Sequence, residues 1–117
     1  DVYKRQRLVL ITAGGGYDHH RRVISTRRGQ SIGQYKSVLA HELGHAAHRD
    51  TPTGNGHFDQ RQERRADEYA AQLLINPHDF ETAAIWHHGH LPAIADELEV
   101  TQHILKTWQS MAANRVA

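Results

Sequence analysis

The 117-residue chain contains no cysteine. That excludes disulfides, a thiolate zinc knuckle and a cysteine nucleophile. Long apolar runs are also missing: the longest are short, such as Leu8–Ile11 and Leu73–Ile75. A membrane-spanning helix needs about 18 or more consecutive apolar residues. No apolar segment of the kind found in a secretory leader is visible either. No Met opens the chain, and Asp1-Val2-Tyr3-Lys4-Arg5-Gln6 reads as a translated adapter, expected to lie outside the natural protein. The length suits one small domain, residues 1–117, which can bury roughly two-thirds of its unfolded surface. What is abundant is histidine, 11 residues in 117. Such an excess points to metal ligation, to a pH-sensitive surface, or to nothing at all.

The net charge is only +1, but it is unevenly spread. Residues 1–36 carry 8 Lys/Arg against 2 Asp/Glu, and the remainder carries 6 against 11. The basic stretch includes Arg21, Arg22, Arg27 and Arg28. No aromatic residue is interleaved with these arginines, so a solvated strand and turn is expected rather than a nucleic-acid surface.

Leu8–Thr12 and Arg22–Thr26 are short and rich in branched residues, so both read as strands of a small antiparallel sheet. Gly14-Gly15-Gly16 between them reads as a flexible turn; no Gly-Lys-Ser/Thr follows, so a phosphate loop is not indicated. From Ser31 the apolar period becomes helical, through Tyr35, Val38, Leu39, Leu43, Ala46 and Ala47. This helix is expected to end near His48–Asp50, before the loop Thr51–Gly56. Asp59 is the expected N-cap of a second helix running to about Ile75. Pro77 opens a third, to about His88. Leu91–Leu98 and Thr101 to about Ala113 complete the set, with residues 91–117 packing on the core. A small sheet followed by helices is an α+β arrangement.

The first helix contains His41-Glu42-Leu43-Gly44-His45. Histidines four apart project from one helix face, with Cβ atoms about 5–6 Å apart. Both can then reach one Zn2+ at about 2.0–2.1 Å. Glu42 is poorly placed as a further ligand but close enough to take a proton from a water held by the metal. The pattern alone is weak, because a chain this rich in His produces it by chance roughly one time in twenty. The second helix supplies what is missing. Glu63 can close a set of two His and one Glu while leaving a fourth position open. Asp67, four residues on, can accept the free ring N–H of a ligand histidine and fix its tautomer. Gly44 and Ala66 are small enough for the two helices to approach closely.

With His41-Glu-Leu-Gly-His45 and Glu63-x-x-Ala66-Asp67-x-Tyr69-Ala70-Ala71-x-Leu73-Leu74-Ile75-x-Pro77 in this order, the chain resembles the ImmA/IrrE group of zinc metallopeptidases from about Arg22 to Trp108. The resemblance implies a minigluzincin-like zincin domain. It implies one zinc ion on His41, His45 and Glu63, with Glu42 as general base. Family members are commonly encoded on phages and mobile elements, and some cleave a helix-turn-helix repressor or a stress-response repressor. A protein substrate of that kind and a cytoplasmic location are the resulting expectations. Asn76 departs from the pattern, since Met is frequent before the proline.

Two residues are candidates to stabilise the oxyanion: His57, in the loop before the second helix, and Tyr69. In resembling peptidases the strand before the zinc helix holds the substrate backbone. Here that would be Val23, Ile24, Ser25 and Thr26, whose neighbouring arginines would favour an acidic or polar peptide. His19 and His20 are expected to be solvated, His48 to lie at the surface, and His87-His88-Gly89-His90 to end a helix. The C-terminal Ile94–Thr101, with Ile104 and Trp108, is similar to a helix-turn-helix DNA reader, so the alternative to a peptidase is a zinc-bearing regulatory or DNA-associated module without efficient proteolysis. Residues 91–117 carry 2 Lys/Arg against 3 Asp/Glu, too few cations for phosphate neutralisation. Direct nucleic-acid binding is therefore not expected.

Overall fold

The computed structural model describes residues 8–12 and 16–116. The adapter-like start and Gly14-Gly15 lie outside them. Three strands come first, β1 (Val9–Thr12), β2 (Gly16–Asp18) and β3 (Val23–Thr26). Five helices follow: α1 (Ile32–His48), α2 (Gly56–Leu74), α3 (Pro77–Trp86), α4 (Leu91–Leu98) and α5 (Gln102–Val116). The architecture is α+β.

The sheet is mixed, with order β1-β3-β2, rather than wholly antiparallel as expected. β3 runs parallel to β1, Val9 facing Val23 and Thr12 facing Thr26. It runs antiparallel to β2, Gly16 facing Ser25 and Asp18 facing Val23. The reason is an extra strand where a glycine turn is expected. β2 reverses the chain once and the turn at residues 19–22 reverses it again, so the two apolar strands point the same way. Val23 and Ile24 are buried where β3 packs on α1.

The helix boundaries follow local chemistry. Ser31 and Gln34 form a capping box at the start of α1. Arg49, in the left-handed region at φ 54°, ends it. α2 starts earlier than expected, because Asn55 and not Asp59 is its N-cap: the Asn55 side chain accepts from the His57 and Phe58 N–H groups. Asp59 sits in the first turn, and its carboxylate accepts from the Thr53 N–H and hydroxyl instead. Asn76 caps α3 in the same way, with Pro77 in its first turn. The core joins Ala40 of α1 and Ala70 and Ala71 of α2 to Ile94, Val100, Ile104 and Leu105 of the C-terminal part. None of the described helices is long and apolar enough to cross a membrane.

Glu99 closes α4 at φ 57°, a conformation that costs a residue with a Cβ about 1–2 kcal/mol. Its ion pair with Lys36 is 3.9 Å long and exposed, so it contributes little. Glu99→Gly is therefore expected to raise stability by about 1 kcal/mol, read as a higher urea midpoint at unchanged m.

Candidate metal centre

α1 and α2 cross face to face and bring three side chains to one point. His41 and His45 share a face of α1, with ring centroids 4.7 Å apart and ring planes at 88°. Their Nε2 atoms lie 3.1 Å apart. Glu63, from α2, places Oε2 2.9 Å from His41 Nε2 and Oε1 3.0 Å from His45 Nε2. Among the described residues these three form the group able to hold a metal ion, their ligand atoms all within 4.8 Å of one another. The donor set fits a borderline divalent cation: two neutral imidazole nitrogens and one carboxylate, with room for a fourth ligand. His87, His88 and His90 form no such group. His87 ends α3 and pairs with Glu97 at 2.9 Å.

Both histidines are oriented from behind. His41 Nδ1 lies 2.7 Å from Asp67 Oδ1. His45 Nδ1 lies 2.9 Å from Asp50 Oδ2. Asp50 escapes a reading based on spacing, because the left-handed turn at Arg49 brings it back beneath His45, where its N–H also bonds the His45 carbonyl. Arg65 of α2 donates to the other Asp50 oxygen at 2.9 Å and so compensates a buried carboxylate. Such hydrogen bonds fix the ring orientation and tautomer that leave both Nε2 atoms facing the centre.

The close approach of the helices depends on Gly44 and Ala66. A Cβ on Gly44 would stand 2.9 Å from Ala66 Cα and 3.1 Å from the Ala66 carbonyl oxygen.

Glu42 faces a cleft of about 330 Å³ lined also by Gly16, Tyr17, His41, His45 and Glu63. Burial raises its pKa and the Glu63 carboxylate adds to this, against the lowering effect of His41 and His45. For His41, burial works against the charged form, but the hydrogen bond to Asp67 and the carboxylates of Asp67, Glu63 and Glu42 outweigh it, so its pKa is raised. An imidazole must be deprotonated at the ligating nitrogen to bind a metal, so a proton on His41 competes with the metal. Because the folded pKa lies above 6.5, that competition begins above pH 6.5 and strengthens as pH falls. Zinc affinity measured by chelator competition is expected to decline from that point downward. A flat profile from pH 8 to 6 would contradict it.

The other expected site residues lie elsewhere. His57 is exposed on the first turn of α2, beside Phe58 and Arg61. The Tyr69 ring packs on His48, with centroids 6.2 Å apart. Neither lines the cleft, whereas Tyr17 does. The Tyr17 hydroxyl lies 2.9 Å from His19 Nδ1 and accepts from Arg22, so His19 is not simply solvated. Val23, Ile24 and Ser25 have a paired strand on both sides, so the expected substrate strand has no open edge along these three residues. Arg27 and Arg28 border a separate hollow with Tyr35.

Residues 11–106 match the IrrE N-terminal-like domain, a peptidase family. The chain belongs to the ImmA/IrrE family. A domain of this peptidase family acts on protein or peptide chains, and the His41, His45 and Glu63 cluster fits the metal that a metallopeptidase needs. No curated protein matches the chain significantly. No solved structure does so either.

Proposed function

We propose that the chain is a zinc-dependent endopeptidase cleaving a regulatory protein, a helix-turn-helix repressor, in the cytoplasm of a bacterial or phage-infected cell. The observation that carries the reading is the convergence of His41, His45 and Glu63 on one point, with Glu42 beside it in an open cleft. One zinc ion would be held by His41, His45 and Glu63. When bound, it lowers the pKa of its water toward 7 and polarises the scissile carbonyl. Glu42 accepts the proton of the attacking water and delivers it to the leaving amine. Asp67 and Asp50 keep the two imidazoles turned toward the centre. The substrate backbone adds to the outer edge of β2 rather than to β3, because Gly16 and Tyr17 line the cleft. The repressor as substrate rests on the resemblance to family members that cleave such proteins.

What weighs against the DNA-associated alternative is charge: residues 91–117 carry 2 Lys/Arg against 3 Asp/Glu, too few cations for phosphate neutralisation. Ile94, Val100, Ile104 and Leu105 of this segment are buried in the shared core.

Co-expression with the transcription regulator encoded next door tests the proposal. Mass spectrometry is expected to find defined fragments that vanish with His45→Ala. In the purified reaction they vanish with chelator and return with zinc. An intact regulator in every arm, with zinc bound at one equivalent, would refute the substrate assignment.

A further inference from the structure

The start of α5 is tied to α1 and α2 at two points. Ser37, one turn before His41 and buried, accepts from the Thr101 N–H at 3.0 Å. Thr101 in turn accepts from the Ile104 N–H, and Ile104 and Leu105 are buried in the core. That anchoring holds His103 over α2, where its Nε2 lies 2.7 Å from Asp67 Oδ2. The other Asp67 oxygen is the one bonded to His41 Nδ1, also at 2.7 Å.

We propose that His103 is a positioning residue of the metal centre: it locks the Asp67 carboxylate from the far side, so that α5, which carries no ligand, sets the orientation of His41. This rests on the assignment of His41 as a metal ligand.

The argument is geometric. A carboxylate with one oxygen bonded can still swing about its terminal torsion, which is broad. With both oxygens held it cannot turn without losing both bonds. An exposed pair of charges alone contributes little, and the His103 side chain is 69% exposed. Asp67, however, is only 22% exposed, and its second bond goes directly to the imidazole that must face the centre. The effect of His103 is therefore expected on the metal and not on the fold. His103 lies in the first turn of α5, where Ala is well tolerated.

Zinc affinity is to be measured by chelator competition on the full chain at pH 8, beside thermal unfolding of the metal-free protein. Removing a hydrogen-bonded partner of a ligand typically weakens metal binding about 10–100-fold. His103 acts one step further out, so His103→Ala is expected to weaken it about 3–10-fold with the metal-free unfolding curve unchanged. His103→Gln keeps an N–H donor at a similar reach and is expected to recover most of the loss. Unchanged affinity in His103→Ala overturns the proposal. So does an equal loss in both variants, because the donor would then not be the device. His41→Ala is run alongside: wild-type zinc affinity in that variant would instead refute the ligand assignment itself.

Discussion

Glu42→Gln is expected to lower peptide cleavage by about 10²–10⁴-fold, the usual contribution of a positioned general base, while one zinc ion stays bound. Gln has nearly the shape of Glu, so the cleft and the α1–α2 contact are preserved. It keeps an acceptor oxygen but cannot take a proton at neutral pH. The ligands His41, His45 and Glu63 are untouched, so metal stoichiometry and chelator competition should match wild type. In the metal-free protein burial raises the pKa of Glu42, and a bound cation beside it would act in the opposite direction. A base must be ionised to work, so kcat/KM of the wild type is expected to show an acid limb as Glu42 is protonated. The limb should disappear with the substitution, together with the activity. Retained cleavage in the zinc-loaded variant would remove Glu42 from the mechanism.

Gly44→Ala is expected to damage fold and metal binding together. The added Cβ would meet Ala66 Cα at 2.9 Å, the Ala66 carbonyl oxygen at 3.1 Å and Tyr69 Cβ at 3.1 Å. Two of these atoms are helix backbone, and Ala66 is fully buried, so no side-chain tip can step aside. Helix propensity favours Ala over Gly by up to about 1 kcal/mol, but overpacking costs about 1–3 kcal/mol. Because the contact is with backbone, the cost falls at the upper end and the contact wins, with a net loss of up to about 2 kcal/mol read by urea unfolding. The relief available is a shift of α2 away from α1. Since His45 adjoins Gly44 and Glu63 lies one turn before Ala66, that shift pulls the carboxylate from the two imidazoles. Weaker zinc binding should accompany the lost stability. Wild-type values for both would show that the helices do not need their close approach.

Much of the centre is local chemistry written in spacing. An i, i+4 step on a helix puts His41 beside His45 and Glu63 beside Asp67 whatever the rest of the chain does, and the small residues Gly44 and Ala66 mark where two helices can touch. The helix ends are also local where a cap is unambiguous, as at Ser31. Where two caps compete they are not, and Asn55 rather than Asp59 starts α2.

Other features arise only where distant segments pack together. β2 is three residues long and opens on a glycine, so it has no periodicity to read. Its return beside β3 makes the sheet mixed and takes the edge away from Val23, Ile24 and Ser25. Asp50 reaches His45 through one left-handed residue, and Arg65 reaches Asp50 across the helix pair. His103 reaches Asp67 from 36 residues further along the chain. Which side chains share a helix face can be read from residue spacing, because that depends only on the helical repeat. The groups that stand behind the imidazoles, and the strand that borders the cleft, depend on where distant segments pack, and no local pattern encodes that.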